Sequence, residues 1–430
     1  MNIGNILEAE LALYDRRISK IKAHPDPSKS RANIIFYDMQ RDRRAAILQA
    51  WKTGKPIVDG INQLGPLFQA MGLQPIDYVG FADRVMHNSD INYCERVTEV
   101  GLPDYLCDRV TVYVPMVLDG VLPPPSLTVV SNGGCEAHQN SSMVVASHFN
   151  VPVYHIDVHF EEPSEEALQY SMAHLRDLIA FAEAKIPGVK YDEDKLVELQ
   201  KWDVPFYNYL HQIYEARKNI PCPEAPQDVF RIPQYPGNYP HPEKAVEFVK
   251  ARCEEVLERV KKGIGGVPEE KLRILWTTAS PPPGDSLKIL AERGASVVFF
   301  QHGHAPRVYG VVYGNIGDEK EFGRKLTPLE EQARLLLGHS WGGLAKRWIR
   351  DICHIARDLK VDAILDFEQQ GCVMSMGFQK LLDGTVKREL GIPIGRIQGR
   401  ELGGFGFNLK DFERSLADLL DMWLAGKHHN

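Results

Sequence analysis

The sequence predicts an α/β protein in which a helical N-terminal segment precedes two doubly wound parallel-sheet domains. Three observations predict it. Short apolar runs bounded by turn residues alternate with longer helical patterns, the rhythm of parallel strands joined by crossover helices. That rhythm runs twice, on either side of one stretch crowded with proline and tyrosine. At 430 residues, 44% of them hydrophobic and 25% charged, the chain is also past the size at which one core keeps growing, so two or three packed units are expected.

From Ile6 to Trp51 the chain is highly charged and helical in pattern, with a turn at His24-Pro25-Asp26-Pro27, and residues 1–52 form the N-terminal segment. The first α/β domain, 53–205, opens with a strand at Pro56-Ile57-Val58 and a helix from Leu64 to Met71. It continues through a helix around Tyr105 to Leu118, a strand from Leu127 to Ser131, a helix from Glu136, a strand from Val151 to Ile156 and a long helix from Ser164 to Ala184. Residues 206–242 hold the proline-rich run that starts at Pro221, which breaks regular structure and serves as the crossover. The second domain, 243–430, begins with a helix from Glu243 to Lys262 and a strand from Leu272 to Thr277 that runs into a proline turn. A helix from Ser286 to Glu292, a strand from Ser296 to Gln301 and a long helix from Gly343 to Leu359 follow. Strand Ala363 to Phe367, a helix from Cys372, strand Ile392 to Ile397 and a last helix from Leu409 to Leu424 close it.

A formal net charge of -7 with no lysine- and arginine-rich run leaves nothing to neutralise a phosphate backbone, so nucleic acid is not an expected partner. The first 20 residues are amphipathic and charged without an apolar signal core, and no apolar run approaches a membrane span. The chain is expected in the cytoplasm, off the membrane. Seven cysteines, at 94, 107, 135, 222, 253, 353 and 372, are an odd number scattered over a long chain, which argues against a disulfide framework. There is no CxxC pair, so a metal site would have to be assembled from distant segments.

Three of these cysteines share a placement. Cys135 follows a strand through Asn132-Gly133-Gly134, Cys372 follows a strand through Glu368-Gln369-Gln370-Gly371, and Cys107 lies in the first turns of the helix that Pro103 and Asp104 open. Ligands at the carboxyl ends of parallel strands converge on the crevice where open α/β sheets bind, and a helix start favours the thiolate. The competing reading is that all three are buried thiols acting as small hydrophobes. That reading is preferred for Cys94, Cys222, Cys253 and Cys353. His302 and His304 also follow a strand and face the same crevice, where either could contact substrate or donate a proton, or be structural. Glu136, His138, Gln369 and Gln370 flank the placed cysteines and are candidates to hydrogen-bond a bound group.

At these segments the sequence resembles the 2-hydroxyacyl-CoA dehydratase and benzoyl-CoA reductase family. The stretch Gly101 to Cys107 is similar to that family's first cysteine helix, Asn132 to Cys135 to its second cysteine turn, and Phe367 to Cys372 to its third. The order continues through Glu254 to Pro283, so the resemblance runs over about residues 50 to 425 at low identity. It implies a [4Fe-4S] cluster held between the two domains by Cys107, Cys135 and Cys372, with one iron left open. It also implies a homologous second subunit, a separate ATP-hydrolysing iron-sulfur activator that injects single electrons, and an acyl-CoA substrate. A ketyl radical on the thioester would then eliminate a hydroxyl group, in a dehydratase, or accept further electrons into a ring, in a reductase. The benzoyl-CoA reductase type is expected first and the 2-hydroxyacyl-CoA dehydratase type second, with a purely electron-relaying relative third. The branch with a double-cubane cluster ranks lower, because only three cysteines are well placed. One loop departs from the family: Gln398-Gly399-Arg400-Glu401-Leu402-Gly403-Gly404-Phe405-Gly406 stands where relatives carry an acidic pair with an arginine, which leaves the substrate open.

A different class is suggested by Gly338-His339-Ser340-Trp341-Gly342, which contains the G-x-S-x-G of a hydrolase nucleophile elbow. An elbow needs a strand before its serine and a histidine later in the chain. Here Thr327 and Pro328 predict a helix up to Leu337, and the later histidines are His354 within a helix and His428 and His429 at the terminus. A hydrolase using Ser340 is therefore the weaker alternative.

Overall fold

The computed structural model describes residues 3–24, 30–87, 91–159, 164–231, 234–302, 311–314, 322–338 and 344–427. Four strands, β1 (Ile57–Asp59), β2 (Gln74–Ile76), β3 (Leu127–Ser131) and β4 (Val153–Ile156), make one parallel sheet in the order β2-β1-β3-β4. The second sheet, from β5 (Leu272–Thr278), β6 (Ala295–His302), β7 (Ala363–Gln369) and β8 (Ile394–Gly399), is also parallel, in the order β6-β5-β7-β8. The two sheets share one topology, and in each the third strand in sequence sits beside the first. The architecture is the one the strand-helix rhythm predicts.

Every residue of β1, β5 and β7 is buried, as parallel strands covered on both faces should be. Successive side chains serve opposite faces. Ile57 joins the core with Tyr113 and Val145, while its neighbour Val58 joins the one with Phe68 and Leu175. In the second sheet Ile274 packs with Leu290 and Leu416, and Leu275 with Phe248 and Ile352.

The N-terminal helices, Ile3–Ala23 and Asn33–Thr53, pack on each other and touch both halves. Ile3, Leu7, Ile47 and Leu48 enter a core of the first sheet, whereas Ala32 and Met39 enter one of the second. Lys244, on the helix Pro242–Lys262, holds Asp38 at 2.5 Å and Asp42 at 2.6 Å. Helix Asp203–Ala216, which the sequence reading did not assign, packs on the same Pro242–Lys262 helix. Among the described residues no helix is long and apolar enough to cross a membrane.

One expected element is corrected. The helix from Tyr105 to Leu118 is two short pieces, Asp108–Thr111 and Tyr113–Leu118, and Tyr105 lies in a turn ahead of both. Pro115 has no N–H to give to the Thr111 carbonyl, which interrupts the helical hydrogen bonding between the two pieces. Cys107 is accordingly the residue before the first piece, with extended backbone at φ −62° and ψ 118°, and not part of a first helical turn.

Candidate functional site

The chain leaves the third strand of each sheet through a turn that delivers a cysteine. After β3, the Asn132 side chain accepts from the Val158 amide at 2.7 Å and donates to Asp157, and Gly133 lies against Val158 where a Cβ would stand 2.9 Å from the valine. Cys135 then caps the helix Glu136–His148, its Sγ accepting from the His138 amide at 3.4 Å. After β7, Gly371 turns the chain with φ +81°, and Cys372 stands at the start of the short helix Val373–Met376. Two cysteines thus occupy equivalent places in the two halves.

Cys107 comes from neither turn; it is brought in by contact with the second. A Cβ on Gly371 would lie 2.4 Å from the Leu106 carbonyl carbon and 2.5 Å from the Cys107 nitrogen, so the Cys372 loop rests directly on the Cys107 backbone. Gln369 donates to the Cys107 Sγ at 3.4 Å and to Asp108 at 2.8 Å. Arg400 donates to the carbonyls of Leu106 at 3.1 Å and Asp104 at 3.0 Å. The three sulfurs line one cavity of about 50 Å³, with Cys107 and Cys372 only 5% and 7% exposed.

Burial pushes all three thiols up, Cys135 to about 11, and Cys107 is raised further by Asp108 and by the other two cysteines. Left to themselves they are neutral thiols. Only a positively charged centre in the cavity would make holding three thiolates together favourable, which is what a cysteine metal site requires. Among the described residues no group of three or more histidine, cysteine or carboxylate side chains closes on a single point, as ligands of one ion would. Cys94, Cys222, Cys253 and Cys353 are buried in apolar cores, and Cys107 shares the core of Cys94.

A larger cavity of about 180 Å³ adjoins the first, sharing Val79, Arg109, His138, His302 and Glu401 with it. It lies outside the carboxyl ends of β1, β2 and β6, where open α/β sheets bind their ligands. His302, the last residue of β6, lines both cavities, while His304 lies outside the described residues. Of the flanking candidates, Gln369 and His138 face the cavity, Gln370 accepts from Arg400 at 3.1 Å and Glu136 is exposed. The sequence reading missed Arg109 and Glu401, an ion pair at 3.0 Å that joins the first half to the loop after β8. Glu401 belongs to the one loop that departed from the family pattern.

The elbow motif lacks its context. Ser340 itself lies outside the described residues, but Pro328–Leu337 before it is a helix, opened by a capping box between Thr327 and Glu330.

The comparisons with known proteins converge on one family. Residues 66–403, a span that contains all three cavity cysteines, match the family model described as 2-hydroxyglutaryl-CoA dehydratase, D-component. The alpha subunit of (R)-2-hydroxyglutaryl-CoA dehydratase from Acidaminococcus fermentans is 22% identical over 329 residues, 70% of this chain. The match takes in 61% of that subunit, so this chain spans less than two thirds of the relative's length. The chain is a member of the 2-hydroxyglutaryl-CoA dehydratase D-component family, within the wider group of 2-hydroxyacyl-CoA dehydratases and benzoyl-CoA reductases.

Proposed function

We propose that this chain is an iron-sulfur subunit of a 2-hydroxyacyl-CoA dehydratase, holding a [4Fe-4S] cluster through Cys107, Cys135 and Cys372. The observation that carries the reading is the convergence of three cysteines from three separate segments, Cys107 and Cys372 buried and Cys135 half-buried, on one cavity. When bound, such a cluster supplies one-electron chemistry and, with three protein ligands, an open iron able to act as a Lewis acid on a thioester carbonyl.

The chain's own residues do the positioning. Gln369 fixes the Cys107 sulfur, and the amide of His138 fixes that of Cys135. The acyl group enters the larger cavity, where His302 and His138, which also line the cysteine cavity, hold a proton beside the substrate. Burial of Cys107 and Cys372 limits the access of water and oxygen to the reacting centre. A homologous second subunit and an ATP-hydrolysing iron-sulfur activator belong to this reading, and the relative's description as one subunit of a dehydratase supports assembly with others.

The benzoyl-CoA reductase type, first in expectation from sequence, is the second reading. The family match supports the dehydratase at least as well. The reductase is kept by the wall of the larger cavity, where the rings of Phe230 and Phe300 meet at 4.8 Å, suited to an aromatic acyl group.

Anaerobic purification tests the cluster: the protein should be brown, with about four irons per chain. Adding a 2-hydroxyacyl-CoA with ATP and an activator should yield the 2,3-enoyl-CoA. A colourless, iron-free chain after anaerobic reconstitution would sink the reading, and ring reduction of benzoyl-CoA without dehydration would replace it with the second.

A further inference from the structure

We propose that Asp108 poises the electron chemistry of the cysteine cavity: its fixed negative charge, buried behind the Cys107 sulfur, lowers the reduction potential of the group that the three cysteines hold. The inference rests on the [4Fe-4S] reading above, and it makes Asp108 a positioning residue that acts through Gln369 and through its charge, not a ligand.

The hydrogen bonds around Asp108 require a carboxylate. The residue is 0% exposed. Its Oδ1 accepts from the Arg109 amide at 2.9 Å and from the Gln369 side-chain amide at 2.8 Å, and its Oδ2 accepts from the amides of Leu402 at 3.2 Å and Gly404 at 3.4 Å. All four neighbours are donors. A proton on either oxygen would find no acceptor among them, whereas a carboxylate accepts every one.

That charge stands close to the sulfur and makes no ion pair among the described residues. Gln369 lies between the two: its Nε2 donates to Asp108 and to the Cys107 Sγ at 3.4 Å, while its Oε1 accepts from the Glu401 amide at 2.9 Å, which fixes the orientation of the amide. These legs put Asp108 Oδ1 within about 6 Å of the sulfur, a range over which unit charges inside a protein still interact strongly. Two guanidiniums belong to the same region. Arg109 is paired with Glu401 at 3.0 Å, and Arg400 turns its guanidinium to the carbonyls of Leu106 and Asp104 and to the Gln370 side chain. The carboxylates act on the sulfurs all the same. Burial pushes up the Cys107 and Cys372 thiols, Asp108 adds more at Cys107 than any other charge, and Glu401 acts in the same sense at both.

The same field acts on a bound group that gains an electron. Reduction adds a negative charge beside Asp108, and a fixed anion in a low-dielectric interior opposes that addition, so net charge close to a cluster is one of the quantities that set its potential. Hydrogen bonds to the sulfurs, from Gln369 and from the His138 amide, act in the opposite direction. Asp108 holds the Gln369 donor in place and counters its effect on the potential.

A potentiometric titration of the full chain tests this, reconstituted anaerobically with any co-purifying subunit left in place, reduced with titanium(III) citrate through mediators and followed by the magnetic signature of the cluster. In Asp108→Asn the reduced-to-oxidised ratio at a fixed potential should rise at least about tenfold, which is a midpoint about 59 mV higher for a one-electron couple. A purely structural role would lower the iron content without moving the potential of the chains that keep iron. Equal potentials in variant and wild type, or a lower one in the variant, overturn the inference and leave the cluster reading intact. Wild type that holds no iron overturns both. Where Asp108→Asn does not hold iron, Glu401→Gln decides, since the Glu401 side chain is outside the four donors around Asp108: its potential should also rise, and an unchanged or lower value overturns the inference.

Discussion

Gly371→Ala should remove the iron site while leaving the rest of the fold standing. Gly371 has φ +81°, where an L side chain costs about 1–2 kcal/mol. Its new Cβ would also stand 2.4 Å from the Leu106 carbonyl carbon and 2.5 Å from the Tyr105 oxygen, all backbone, with no side chain able to rotate away. Relief to an ordinary 3.4 Å contact requires the two loops to separate by about 1 Å. Overpacking of that kind adds about 1–3 kcal/mol, for a total of about 2–5 kcal/mol. The displacement matters more than the energy, because Cys372 is the next residue and Cys107 is on the opposing loop, while metal-ligand distances tolerate about 0.2 Å. Iron and acid-labile sulfide per chain after anaerobic reconstitution, with denaturant unfolding alongside, read out both effects. Gly263→Ala is the control: it has φ +64° but nothing within 4 Å of the new Cβ, so it should lose about 1 kcal/mol and no iron. Iron in Gly371→Ala equal to wild type would refute the account of how Cys107 and Cys372 are held together.

Replacing Cys107, Cys135 or Cys372 by Ala should abolish iron binding, whereas Cys253→Ala and Cys353→Ala should keep it; equal loss in all five would undo the ligand assignment. Ser340→Ala should leave activity within about threefold of wild type, and a loss of roughly a thousandfold would restore the hydrolase. Glu224, buried between Arg217 and Arg252, would be raised by burial alone, but the two guanidiniums outweigh it and hold its carboxyl below the ordinary 4.5. A depressed folded value means its contribution is present above that ordinary value and is lost as pH falls through the lower one. Glu224→Gln should therefore cost about 3–5 kcal/mol at pH 7, a gap that shrinks in acid. A gap that denaturant unfolding finds unchanged from neutral pH to well below 4.5 would contradict this.

Much of the fold was legible because its signals are local. Helix Ser286–Glu292 and strand Leu127–Ser131 match their expected bounds, set by apolar runs between turn residues. Strand β2 was missed, since at three residues with Pro75 in the middle it carries no strand pattern; it is tolerated because it lies at the sheet edge, where a missing donor costs little. Helix Asp203–Ala216 was hidden by its proline-rich surroundings, although Phe206, Tyr207, Leu210, Ile213 and Tyr214 bury one face at helical spacing. At the site, Cys135 and Cys372 were readable from strand ends. The Arg109–Glu401 pair was not, because it joins positions 292 apart in the chain; the departing loop drew notice to Glu401, but nothing local marks its partner.

The three cysteines do not stand on the same footing in the architecture. Cys135 and Cys372 follow the third strands of two sheets with one topology, so each is fixed within its own half by its own turn. Cys107 has no counterpart in the second half. Its position relative to Cys372 is set by contacts that cross between the halves: Gln369 to its sulfur, Gly371 against its backbone, Arg400 to the two carbonyls ahead of it. Asp108, fully buried beside it, accepts from Gln369 at 2.8 Å and from the amides of Leu402 at 3.2 Å and Gly404 at 3.4 Å. Docking of the halves and completion of the three-cysteine set are therefore one structural event. Any group that all three cysteines hold adds its binding free energy to that docking, and any force that parts the halves weakens the group's hold by the same amount. The Arg109–Glu401 pair lies on the same seam and lines both cavities, so the docking that completes the cysteine set also sets the charge of the space beside it.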